Sequence, residues 1–307
     1  MIPISRFFYD EVFTIAYREK EKAGSSGLLE DNKKPFTCMP VSSKHWYADP
    51  MLFEHHGVNY IFYEVYRRIQ AKGVIGYSII RPDGSLTEPK VILEKEYHLS
   101  YPFVFKAGEK IYMMPETGES RNIQLYEAVS FPDQWSLKNV FIDNILAADT
   151  TVLWFNNTAW MFTAEYNEKS PFETRLLRCI LKDVDSRLKR DNFMVLNDFN
   201  AFTRPAGRFF THQDEWIRPS QDCSDKFYGK ALLFNKIEEI NENGYKETLL
   251  KKVFPGDIPT DSKYVLIGTH TYGTNDHYEV VDVKFKLFNF PLKYVRHLMN
   301  FIRRYLK

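Results

Sequence analysis

WYADPMLFEHHGVNYIFYE, residues 46–64, is the stretch that decides the fold. A polar tip, Ala48-Asp49-Pro50, leads into an apolar run from Met51 to Phe53, then a turn at His56-Gly57 and a second run from Asn59 to Tyr63. Two short runs joined by a Gly-containing turn predict an antiparallel hairpin. The pattern recurs as SYPFVFKAGEKIYMMPE (100–116), ADTTVLWFNNTAWMFTAE (148–165) and RPAGRFFTHQDEWIRPSQD (204–222). Its anchors Pro50, Pro102, Thr150 and Pro205 are spaced 52, 48 and 55 residues along the chain. A strand-rich repeat of roughly 40–50 residues is the signature of propeller blades of about four strands each.

Working outward, blade one is expected to hold 51–53, 60–63, 74–80 and, after the Pro82-Asp83-Gly84 turn, 91–94. Blade two takes 103–105, 111–114, 123–128 and 138–142, the last two separated by the Phe131–Trp135 turn. Blade three takes 151–155, 160–163 and 175–180, continuing as short helix or loop through Leu188-Lys189-Arg190. Blade four takes 207–210, 215–218 and 231–237, and blade five takes 247–253, 264–269 and 278–285. The run Val12–Tyr17 has no blade of its own and is expected to close the ring by joining the last one, because closure removes free edges. Lys20–Lys34, with Gly24-Ser25-Ser26-Gly27, reads as a mobile loop. The expected fold is therefore an all-β, five-bladed β-propeller over residues 1–287, closed by its N-terminal strand.

Residues 288–307 differ in kind. Tyr294, Leu298, Phe301 and Tyr305 share one helical stripe, and seven Lys or Arg with no acid lie between Lys284 and Lys307. This short basic amphipathic helix either packs across the propeller's side or lies on an anionic membrane surface.

The 307 residues carry a net charge of +1, so no global field points to nucleic acid. Aromatic residues make up 16% of the chain, which suits pleated surfaces packed face to face. Cys38, Cys179 and Cys223 share no metal-ligand spacing and cannot all pair, pointing to a reduced, cytoplasmic setting, with the tail allowing peripheral contact at the inner membrane surface. No run approaches the roughly 20 apolar residues of a membrane span. There is no G-x-S-x-G, Walker, G-x-G-x-x-G or H-E-x-x-H pattern, so neither a cofactor nor a metal is expected.

In a propeller, the innermost strands line a central channel, so residues at equivalent places in successive blades converge. Asp49 opens blade one, Asp149 opens blade three, and Glu116 ends the second strand of blade two. Carboxyls crowded at one apolar-walled mouth push one another's pKa values apart, which is what glycoside cleavage needs: one protonated acid and one ionised base or nucleophile. Taken singly, each could equally be a turn or strand-start residue capping nearby N–H groups. Blade four adds Arg204, Arg208 and Arg218, with Gln221 and Asp222; the Arg forks suit a sugar bearing carboxylate or phosphate, or else brace neighbouring blades. His270 could reach the channel, and His98 and Tyr101 flank the tip of blade two, where Tyr101 could stack on a sugar ring.

The series WYADP, HLSYPFVF, MPETGESRNIQLYEA, FPDQW, ADTTVLW, RPAGRFF and RPSQDCSDKFYGKALLFN resembles the propeller domain at the N-terminus of glucosamine inositolphosphorylceramide transferases. That domain also occurs in bacterial surface-polysaccharide proteins, sometimes beside formyltransferase domains. The match covers roughly residues 13–283. More distantly, the chain is similar to the five-bladed arabinanase, β-xylosidase and invertase clan, in which the first-blade Asp of a D-P dipeptide is base or nucleophile. The resemblance thus implies that role for Asp49. It departs at blades two and three, where Tyr101 and Asp149 stand in place of the expected Asp and Glu, with Glu116 displaced along blade two. It also implies that transferase activity in the plant-type proteins resides in a separate C-terminal domain.

The expectations are a glycosidase or glycosyl-transferring protein of cell-surface polysaccharide or glycolipid metabolism. Asp49 would serve as base or nucleophile, Glu116 as general acid and Asp149 as pKa modulator or sugar-hydroxyl ligand, with Arg204, Arg218 and Asp222 holding the substrate. The alternative is a non-catalytic glycan-binding module or scaffold assisting a partner glycosyltransferase.

Overall fold

A computed structural model describes residues 9–288 apart from 26, 31, 32 and 43. The proposed helix over 288–307 lies, from residue 289 onward, outside the described residues. Strand β1 (Tyr9–Glu19) runs first, followed by the two-residue β2 (Thr37–Cys38). Blade one is β3 (His45–His55), β4 (Val58–Arg67), β5 (Lys72–Ile80) and β6 (Lys90–Leu93). Blade two is β7 (Ser100–Ala107), β8 (Lys110–Glu116), β9 (Asn122–Ser130) and β10 (Gln134–Asp143). Blade three is β11 (Ala147–Phe155), β12 (Thr158–Asn167), β13 (Ser170–Ile180) and β14 (Met194–Val195). Blade four is β15 (Phe210–His212), β16 (Glu215–Asp222), β17 (Ala231–Ile240) and β18 (Tyr245–Val253). Blade five gathers β19 (Leu266–Gly268), β20 (Tyr272–Thr274), β21 (Tyr278–Phe288), β1 and β2. The five-bladed ring expected from the repeat is present.

Two boundaries differ from the sequence reading. Glu247–Val253, expected in blade five, lies in β18 and pairs with β17 as the outer strand of blade four. Blade three, expected to end as helix or loop, adds a short outer strand in which Arg178 and Leu177 pair with Met194 and Val195.

Closure follows the expectation. All eleven residues of β1 pair with β21, from Tyr9 opposite Phe288 to Glu19 opposite Tyr278. A buried ion pair pins the joint, with Arg18 Nε donating to Glu279 at 2.7 Å while the Tyr272 hydroxyl and the Leu28 backbone N–H donate to the same carboxylate. Leu28 is buried, so this part of the 20–34 segment is tied to the ring rather than free. The apolar core lies between blades: separate buried clusters seam blades one to three, three to four, four to five, and five to one. Each sheet buries both faces against its neighbours, as the high aromatic content anticipates. All three cysteines are free thiols.

Candidate functional site

The innermost strands of blades one, two and three, β3, β7 and β11, each carry a bulge at the same place, where the ladder slips between Ala48 and Met51, Ser100 and Phe103, and Ala148 and Thr151. At each bulge one non-glycine residue adopts left-handed backbone: Asp49 (φ 54°), Tyr101 (φ 44°) and Asp149 (φ 51°). Asp tolerates this region, whereas a bulky aromatic there costs on the order of 1–3 kcal/mol. A bulge bends its strand and re-aims a side chain. Here all three are turned off the sheet face and onto neighbouring blades around the axis.

The contacts show where each goes. Asp49 accepts from the Tyr101 backbone N–H of blade two (3.2 Å) and from the Thr271 hydroxyl of blade five (2.8 Å). Tyr101 reaches right across: its hydroxyl bridges Thr151 of blade three (2.8 Å) and the Gly207 N–H of blade four (2.8 Å). Gly207 must be glycine, since its φ is +129° and a Cβ would sit 1.9 Å from the Tyr272 carbonyl oxygen. Asp149 takes the Arg204 guanidinium and the Gln221 side-chain amide (3.0 Å) of blade four. Glu116 accepts the other edge of Arg204 at 3.0 Å and the Tyr166 hydroxyl at 3.4 Å. Arg204 lies between the rings of Tyr166 and Tyr228, about 5 Å from each centroid. Burial alone would lower its pKa, but Asp149, the two tyrosines and Glu116 outweigh that and hold it well above the usual arginine value.

The structure therefore brings together Asp49, Glu116, Asp149, Arg204, Gln221 and His270 from the predicted set. His270, stacked on Phe13, has Nε2 3.5 Å from Asp49 and Nδ1 2.5 Å from Asp282. Tyr101 is fully buried beneath them, so it braces the pore instead of offering a face to a sugar. Arg208 packs over Phe103 and donates to the Val104 carbonyl across the channel. Arg218 is engaged by Glu247 in a buried bidentate pair, and Asp222 by Lys252 and the Ser224 N–H, both inside blade four. The Arg forks expected to grip an anionic sugar are thus already occupied by the protein's own carboxylates and carbonyls. His98 stands half-buried at the rim, 3.2 Å from Glu64.

Glu64 and Asp282 are residues that sequence reasoning missed. Glu64 pairs across the bulge with Ala48 as Glu116 pairs with Ser100, so the two glutamates are blade equivalents. The signal was present: Glu64 follows Asp49 by 15 residues, as Glu116 follows Tyr101. Asp282 is the lone acid within the apolar run Val280–Val283 of β21.

Electrostatically, the mouth is a crowd of buried carboxyls. Burial raises Asp49 to about 6, with His270 opposing and Asp149 and Asp282 adding to the rise. Glu64 is pushed well above the usual range by burial and then by Asp49, Glu116 and Asp282, against Arg204. Glu116 is also raised by burial, against Arg204 and with Asp149. Asp49, His270 and Asp282 bring one ligand atom each within 4.8 Å of the others, the geometry of a candidate metal group among the described residues. Asp282 Oδ1 accepts the His270 and Thr271 backbone N–H groups and Oδ2 the Asp49 N–H, while each oxygen of Asp49 accepts one hydrogen bond and keeps a second lone pair. The trio is a hydrogen-bonded set that orients Asp49.

Fold and mouth together define a five-bladed propeller with a buried carboxyl–guanidinium cluster on its axis. The chain belongs to the family described as glucosamine inositolphosphorylceramide transferase 1, N-terminal, which it matches over residues 32–268. It is 31% identical over 206 residues to glucosamine inositolphosphorylceramide transferase 1 of Oryza sativa subsp. indica, covering 65% of this chain and 27% of that protein. With the Arabidopsis thaliana protein of the same name it shares 28% identity over 256 residues, covering 80% of this chain and 33% of that protein. The chain thus spans about a third or less of the length of these relatives. Among solved structures it is similar to an α-L-arabinofuranosidase from Podospora anserina, with a TM-score of 0.57 at 9% identity over 79% of this chain and 91% of that one. That likeness is one of fold.

Proposed function

We propose that this protein handles a carbohydrate at the channel mouth and that it cleaves or transfers a glycosyl residue in the making of a cell-surface polysaccharide or glycolipid. The observation that carries this reading is the convergence of carboxyls from equivalent blade positions, Asp49, Asp149, Glu64 and Glu116, at one mouth, where Asp149 and Glu116 share the buried Arg204 guanidinium. Relatives named as glycosyl transferases support the same class of substrate.

In this reading Asp49, with its pKa near 6, is ionised at pH 7 and takes the proton of the attacking water or acceptor hydroxyl. A protonated glutamic acid supplies the leaving oxygen with its proton. Sequence reasoning places that role on Glu116, and its blade equivalent Glu64 has the same credentials. Asp149, gripped by Arg204 and Gln221, sets the local field. Apolar and aromatic walls keep that field strong by excluding water.

A second reading rests on the partial match to the relatives: the propeller holds an acceptor glycan for a separate transferring unit. An array of aryl glycosides and purified surface glycans, with wild type beside Asp49→Asn, separates the two. Turnover that falls at least 100-fold in the variant supports the enzyme. Saturable glycan binding without turnover supports the module, and neither binding nor turnover overturns both.

A further inference from the structure

Of the carboxyls at the mouth, Glu64 stands apart. Its Oε1 is wholly buried and makes no hydrogen bond among the described residues, whereas Glu116 is engaged by both Arg204 and Tyr166. The polar neighbour of that oxygen is His98, whose Nε2 lies 3.2 Å away without the alignment of a hydrogen bond. The other ring nitrogen of His98 is committed: Nδ1 accepts the Gly73 backbone N–H at 3.0 Å. A nitrogen that accepts a hydrogen bond carries no proton, so the ring is neutral with its N–H on Nε2, facing Glu64. Burial keeps it neutral by lowering its pKa, with Glu119 opposing and Arg204 reinforcing. Gly73 makes the approach possible. A Cβ there would stand 2.4 Å from Glu64 Oε1, 2.8 Å from His98 Cε1 and 2.4 Å from the Leu99 carbonyl oxygen.

We propose that Glu64 is the general acid of this site and that His98 is its positioning residue, a small rotation bringing its Nε2–H onto Oε1 in the substrate complex so that the acidic proton sits on Oε2. The proposal rests on the glycosyl-cleaving or transferring reading above. In the step, the Glu64 O–H proton passes to the glycosidic oxygen as the C1–O bond breaks, and that bond's electron pair stays on the leaving oxygen. Asp49 takes the proton of the water or acceptor hydroxyl whose oxygen forms the new bond to C1. Solvent then returns one proton to Glu64 and removes one from Asp49, so charge and atoms balance. The charged groups facing Glu64 are Asp49, Glu116, Asp282 and Arg204, and those facing His98 are Glu119, Arg204 and Glu64 itself. Arg204 is drawn to Asp149 and Glu116 and leaves Glu64 as the carboxyl without a cationic partner in contact.

The test uses the full chain and glycosides that differ in leaving group. A general acid matters for a poor leaving group and little for a good one, a split that no structural defect produces. Glu64→Gln is expected to lower kcat/KM by about 10²–10⁴-fold on an alkyl glycoside and less than 10-fold on a dinitrophenyl glycoside. Glu116→Gln is expected to show no such split. His98→Phe should shift the basic limb of the pH profile, and His98→Gln, whose amide N–H can reach Oε1, should restore it. A uniform loss in Glu64→Gln, or the split appearing in Glu116→Gln, overturns this inference while leaving the reading of the site intact. A wild type that turns over no glycoside overturns that reading and the acid role with it. Carboxyl-¹³C and imidazole-¹⁵N NMR then judges the pairing alone. A protonated Glu64 at pH 7 beside a neutral His98 upholds it; a Glu64 that titrates near pH 4.5 overturns it.

Discussion

Asp49→Asn should make the protein more stable at alkaline pH and leave it nearly unchanged at acid pH. Burial raises the Asp49 carboxyl from 3.8 to about 6, so the folded state holds its proton more tightly than the unfolded chain does. A group raised in this way contributes stability below the unfolded value and loses it as pH climbs through the folded one. Above pH 6 the fold carries a buried charge, and the shift of about 2 units at roughly 1.4 kcal/mol each corresponds to about 3 kcal/mol. An asparagine keeps the shape, its oxygen toward the Tyr101 N–H and its NH₂ toward the Thr271 hydroxyl, and forfeits about 1 kcal/mol of charge-assisted hydrogen bonding. The net gain at pH 8 is about 2 kcal/mol, a rise in Tm of roughly 4 °C for a chain this size, fading to zero or slightly below at pH 4.5. Thermal melts of both proteins by circular dichroism between pH 4.5 and 8 read this directly. A variant less stable than wild type at pH 8, or a Tm difference that ignores pH, refutes the argument.

Other consequences follow from the same contacts. Arg204→Met removes the cation shared by the buried Asp149 and Glu116 carboxyls and should cost about 3–5 kcal/mol in urea unfolding, with part recovered in the triple variant that adds Glu116→Gln and Asp149→Asn. Tyr101→Phe leaves the Gly207 N–H and the Thr151 hydroxyl without their shared partner and should cost about 1–3 kcal/mol by the same assay. Deleting residues 1–19 removes β1 and bares the edge of β21, so size-exclusion chromatography should show larger species than the full chain gives.

The ring was legible because four inner hairpins repeat the same tip, turn and strand, and because β1 has no partner in sequence but matches the free edge of a last blade. Blade five was misdrawn for a physical reason. Its inner portion is two three-residue strands, β19, which falls within the expected run 264–269, and β20, which is too short to show alternation, so the longer run Glu247–Val253 was counted in its place. The two-residue β14 escaped notice likewise. At the site, the acids that open the blades could be read from the repeat, since the shared bulge makes Asp49 and Asp149 equivalents. Tyr101 holds the same position, but a residue with a hydroxyl and a large ring spans the pore and braces it. Glu64 was hidden in plain view at the same offset as Glu116, because the end of a strand looks like solvent-facing sequence until a neighbouring blade covers it. No pattern along the chain announces that Arg204 bridges Glu116 and Asp149, for that pairing depends on how three blades meet.

The measurement that bears most directly on the channel-mouth account is a crystal structure of the protein soaked with a surface glycan that it binds. A sugar ring within hydrogen-bond distance of the Asp49 carboxyl, with Glu64 beside its glycosidic oxygen, is the result expected. A sugar seated instead on the blade side, in the cavity lined by Trp160, Arg178 and Phe193, with the mouth empty, would contradict it.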